Sequence, residues 1–103
     1  MKPVTFVDLV SVIDSLPYKT GIYAEIPRWE DEPLRTTLYL ASGDEEGEED
    51  FDARIEAAGL REFYRLQTLQ DIIAVERRTR PNAKIDDLVA AAKYYRKYDT
   101  FRP

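Results

Sequence analysis

The sequence predicts an α+β domain in which a small, predominantly antiparallel three-stranded sheet packs with about four helices, in the order helix, strand, strand, helix, strand, helix, helix. Three observations carry this expectation. The runs "GIYAEI" and "RTTLYLAS" alternate in polarity and are rich in β-branched and aromatic side chains. Only the eight residues "PRWEDEPL" separate them, which favours an antiparallel pair. Near the C-terminus, "AKIDDLVAAAKYYRKYD" repeats its apolar positions at helical spacing. With 103 residues the chain suits a single domain, residues 1–103, built on one modest core.

The first helix is signalled by "TFVDLVSVIDSLP": Thr5 can cap the free amides, Asp8 sits at capping-box distance, and Phe6, Leu9, Val10, Ile13 and Leu16 share one face before Pro17 ends the run. Strands are expected over residues 20–26 and 35–42, with Ile22, Ala24 and Ile26 facing one way and Tyr23 and Glu25 the other. Leu38 and Leu40 then share one face of the partner strand, with Thr37 and Tyr39 on its reverse. After "GDEEGEED" a short helix runs from about Glu49 to Ala58, buries Phe51, Ile55 and Ala58, and stops at Gly59. "LREFYRL", residues 60–66, reads as a third strand. "TLQDIIAVERRTR" is a helix capped by Thr68, and Pro81 and Asn82 break the chain before a final helix from about Ile85 to Tyr98.

Composition narrows the chemistry. There is no cysteine and no histidine, which removes disulfides, thiolate nucleophiles, Cys/His zinc sites and histidine bases. No apolar run reaches the length of a membrane span, because Asp8 and Asp14 interrupt the N-terminal one, and Pro3 and Asp8 fit a signal peptide poorly. A soluble, cytoplasmic protein is the expectation. Charge is divided unevenly: residues 1–60 carry a net charge of -9 and residues 61–103 a net charge of +4. The total of -5 disfavours direct nucleic-acid binding.

Asp44, Glu45, Glu46, Glu48, Glu49 and Asp50 crowd into one short stretch, continued by Asp52 and Glu56. A helix dipole accounts for one or two of them. They can be a solvated loop or a docking surface for a basic protein; their spacing does not match a calcium-binding loop, and no metal or cofactor is expected. The lone tryptophan, Trp29, stands beside Glu30, Asp31 and Glu32, and is either a core plug or an interface anchor with a charged rim. On the last helix Tyr94 points away from the Leu88, Val89 and Ala92 seam, with Tyr98 on the flank, so these rings either pack under the tail or meet a partner. No "GxSxG", phosphate-binding glycine loop, "HExxH" or carboxylate pair placed across a cleft is present, so no catalytic residues are assigned.

The C-terminal half, through "LQDIIAVERR" and "DDLVAAAKYYRKYDTF", resembles the small immunity proteins that bacteria pair with polymorphic or contact-dependent growth inhibition toxins. Leu69 to Ile72, Tyr94-Tyr95 and Asp99 to Phe101 anchor the resemblance, which covers about residues 60–101. It implies a cytoplasmic, non-enzymatic inhibitor that binds a cognate toxin domain, often a basic nuclease encoded beside it. A regulatory or adaptor module, or a small carboxylate-dependent enzyme, are the alternatives.

Overall fold

Strand pairing begins before the first helix. In the computed structural model, which describes residues 1–103, Lys2–Val4 is a strand, β1, followed by helix α1 (Phe6–Val12) and a 3-10 turn (Ile13–Ser15). After these come β2 (Gly21–Ala24), α2 (Ile26–Asp31), β3 (Leu38–Ala41), α3 (Gly43–Glu46), α4 (Phe51–Ala57), β4 (Arg61–Arg65), α5 (Leu66–Thr79) and α6 (Ile85–Tyr98). The four strands form one antiparallel sheet in the order β1-β3-β2-β4. The expectation of three strands and four helices is therefore corrected: the α+β structure has four strands and six α-helices.

Each difference has a local cause. β1 is three residues long and contains Pro3, which has no N–H to donate and is tolerated because the strand lies at the sheet edge. The stretch expected as a plain link between strands contains α2, because Pro27 occupies the first turn, where its missing N–H costs nothing and its fixed φ suits a helix. Glu32 closes that helix by donating its N–H to Arg28 O at 2.8 Å, and the buried Thr36 hydroxyl donates to Glu32 O at 2.7 Å. α3 lies where an acidic loop was expected, and Ser42 nucleates it with a reciprocal capping box.

The chain divides into two compact units, Met1–Leu66 and Gln67–Pro103. In the first, Ile22 pairs with Leu40 and with Tyr64, and Tyr23 pairs with Tyr39, so Ile22 and Leu40 share one sheet face and Tyr23 and Tyr39 the other. An irregularity between Ile22 and Tyr23 sets Tyr23 opposite Glu62 and leaves Phe63 as the extra residue of a bulge. On the Tyr23 face, Tyr23, Ala41, Phe51 and Leu60 form a buried cluster, with Tyr39 and Ile55 packed against it. Tyr23 and Phe51 meet edge to face at 5.4 Å. A second aromatic group joins α1, α2 and β4: Trp29 lies 6.1 Å from Phe6 and 4.7 Å from Phe63, ring centre to ring centre.

In the second unit, Leu69, Ile72 and Ile73 of α5 and Leu88, Val89, Ala91 and Ala92 of α6 are buried. A charged residue is buried with them: Glu76 is 2% exposed. Its carboxylate accepts from Arg102 Nε at 3.2 Å and Nη2 at 2.8 Å, and from Arg80 Nη1 at 3.0 Å. Arg80 also donates to Pro103 O at 2.8 Å, so the chain end is held on α5. α6 ends on Asp99 in the left-handed conformation, φ 55°, and the Tyr95 and Phe101 rings meet at a tilt of 51° with centres 5.4 Å apart. No helix is long and apolar enough to cross a membrane.

Candidate functional site: an acidic helix pair and its groove

The acidic stretch folds into α3, the turn that follows it and the start of α4, and its carboxylates have divided tasks. Ser42 Oγ accepts from Glu45 N at 3.1 Å while Glu45 Oε1 accepts from Ser42 N at 3.2 Å. The amino group of Met1 donates to Glu45 Oε2 at 2.7 Å. That bond, followed by the Ser42 N–H, holds the Glu45 carboxyl below the usual glutamate range. Glu46 points inward and accepts the phenolic proton of Tyr23 at 2.5 Å. Burial, then this bond and the Glu46 charge, push the Tyr23 phenol well above its ordinary value. Gly21 leaves room for the pair, since a Cβ there would come within 2.8 Å of both Glu46 Cδ and Tyr23 Cε2.

Glu48 and Asp50 share one cation. Arg54 Nη2 lies 2.6 Å from Glu48 and Arg54 Nε 3.5 Å from Asp50, with the guanidinium 5.8 Å from the Phe51 ring. Asp44, Glu49, Asp52 and Glu56 are exposed and join none of these ion pairs. Of the six acids singled out from residues 44–50, two are therefore built into the fold, two pair with Arg54, and two face water. No three carboxylates of the chain come together in a way that could hold a metal ion.

Trp29 is a core residue, so its candidacy as a surface anchor is corrected. The ring is 0% exposed, and its Nε1 has no hydrogen-bond acceptor. The α2 helix turns it inward between Phe6 and Phe63 while Glu30 and Asp31 on the same helix, and Glu32 just after it, stay exposed. It is Pro27, in the first turn of α2, that comes to the acidic helices: Pro27 lines a groove of about 840 Å³ with Asp52, Ile55 and Glu56 of α4. Gly59, Leu60, Arg61 and Glu62 complete its lining.

The groove's shape follows from how α4 ends. Gly59, at φ 73°, reverses the chain, with Leu60 N donating to Ile55 O at 2.9 Å and Gly59 N to Glu56 O at 3.0 Å. This is the double bond pattern of a Schellman cap, which brings the apolar residue beyond the glycine onto the one at the start of the last turn, here Leu60 and Ile55. The glycine and that apolar pair were visible in the sequence. Their closeness to Pro27 was not, because it depends on how β2 and β4 pair.

Tyr94 and Tyr98 belong to the C-terminal unit. Their rings meet at a tilt of 42° with centres 4.4 Å apart, Tyr94 is half-buried and Tyr98 is 53% exposed, with the Lys97 ammonium 5.3 Å from its ring centre. This contact gives each ring a partner within its own helix.

The profile of one family, described as a domain of unknown function (DUF7716), matches residues 3–102. The chain belongs to the DUF7716 family. No curated protein and no solved structure matches it. The DUF7716 match spans both compact units, so both are parts of the family's defining sequence.

Proposed function

We propose that this DUF7716 protein is a non-catalytic immunity protein, which binds a cognate toxin domain with a basic surface in the cytoplasm and neutralises it by covering its active or substrate-binding site. One observation carries the reading. Asp44, Glu49, Asp52 and Glu56 present unpaired charge on α3, on α4 and on the turn between them, a segment that the Ser42 capping box and the Arg54 ion pairs fix in place. Unpaired carboxylates carried on one short segment repel one another through solvent, and a cationic partner relieves that repulsion. A nuclease groove is cationic because it holds phosphates, so such a surface can occupy the same ground and be steered toward it at long range. The resemblance of residues 60–101 to immunity proteins supports the same reading.

The experiment is co-expression with the product of the adjacent gene. The expected result is a retained stoichiometric complex and loss of that product's toxicity. If the neighbour is neither retained nor neutralised, the immunity reading fails; a retained but harmless neighbour points to an adaptor instead. In the complex, Asp44→Asn with Glu49→Gln slows association by about tenfold at low salt and flattens its salt dependence, because both groups act through solvent at a distance.

A further inference from the structure

The groove beside the Gly59 turn combines two features that packing inside the first unit leaves only partly satisfied. Its floor is apolar and incompletely covered: Ile55 is half-buried and Pro27 exposed, while Leu60 closes the base. Its rim is acidic, since Asp52, Glu56 and Glu62 stand around it with Arg61 as the lone cation. The nearby cation Arg54 is engaged by Glu48 and Asp50 and pairs with none of the three. At Gly59 a Cβ would meet nothing within 4 Å, so another backbone can approach the turn closely.

We infer that this groove docks a linear, basic segment of a partner protein, in which an apolar side chain is flanked by lysine or arginine. The apolar residue rests on Ile55 and Pro27 and finishes their burial, and the flanking cations reach Asp52, Glu56 and Glu62. Charge decides the class of occupant: nucleic acid and anionic lipid are repelled by the rim, and a second copy, with a net charge of -5, is disfavoured as a whole although its residues 61–103 carry +4. A small cation alone would leave the apolar floor uncovered. The inference rests on reading the acidic helices as a docking surface and names the chemistry seated there.

The test uses the full-length, isotope-labelled protein titrated with the capped synthetic peptide Lys-Leu-Lys-Leu-Lys. Amide shifts are expected to saturate and to concentrate in residues 55–62. Replacing both leucines of the peptide by serine, or introducing Asp52→Lys, Glu56→Lys and Glu62→Lys together, weakens binding by about tenfold or more. All three positions are exposed, and an unchanged unfolding midpoint verifies the variant; Glu56→Gln alone, with a smaller loss, serves if the triple variant does not fold. Shifts centred on residues 44–50, equal affinity for the serine peptide, indifference to the charge changes, or no saturable binding each overturn the groove. Those failures are distinct from failure of the immunity reading. A toxin that still co-purifies with the triple variant at full strength removes the groove and keeps the inhibitor, whereas a neighbour never retained removes the inhibitor first.

Discussion

Glu46 of α3 accepts a hydrogen bond from Tyr23 of β2, so an acidic side chain from the most charged stretch of the chain is fastened to the centre of the sheet. Glu46→Ala leaves the buried phenol without its acceptor and lowers stability by about 1–3 kcal/mol, while Glu46→Gln, whose amide oxygen can still accept, costs about half as much. Glu49→Ala, in solvent, changes stability by no more than about 0.5 kcal/mol. Urea unfolding of these variants, completed by Tyr23→Phe as a double-mutant cycle with Glu46→Ala, is expected to return a coupling of about 1–2 kcal/mol. Additive single effects would show that the bond carries no stability.

The Glu76 cluster is asymmetric, and its variants should be too. Glu76 is 2% exposed, whereas Arg80 is 37% and Arg102 22% exposed. Removing the carboxylate by Glu76→Met lets both guanidinium groups return to water, with Asp87 still 3.4 Å from Arg102, and costs about 1 kcal/mol or less. Removing the cations by Arg80→Met with Arg102→Met strands a buried charge and costs about 3 kcal/mol or more. Equal losses measured by chemical denaturation would contradict this ranking.

Acid should weaken the start of α6. The Asp87 carboxylate accepts from Lys84 N at 2.9 Å, and that bond, followed by the charge of Arg102, holds its carboxyl below the ordinary aspartate range. A folded-state value below the unfolded one means that the unfolded chain binds more protons in between, so stability rises with pH there. The contribution is whole above about pH 4 and disappears as pH falls through the folded value. Unfolding midpoints of Asp87→Asn and the parent chain are expected to differ most at neutral pH and to converge on acidification. A gap that persists unchanged at low pH would assign it to packing.

Legibility in the sequence followed the range of the interactions. The last helix runs over Ile85–Tyr98 as its periodicity predicts, Thr5 caps α1 by accepting from Asp8 N at 3.1 Å, and Gly59 stops α4, all of them relations within a few residues. β1 was hidden because three residues containing a proline carry no alternation, and only pairing with Leu38 to Leu40 makes them a strand. The acidic stretch was found as composition, but nothing local distinguishes Glu46, aimed at Tyr23 across 23 positions, from Glu49, aimed at water. Trp29 was ambiguous for a related reason: its charged neighbours occupy the solvent side of a helix whose inner side depends on Phe6 and Phe63.

The capping box at Ser42 and the Arg54 pairs separate what holds the acidic helices from what they display. Ser42, Glu45, Glu46 and Arg54 form the frame, and Asp44, Glu49, Asp52 and Glu56 are borne on it. Substitutions at the borne positions cost the fold little, about 0.5 kcal/mol or less each. On the proposed reading, partner preference can therefore drift by successive surface changes without passing through unfolded intermediates, which would let one scaffold diversify into many specificities while its architecture stays constant.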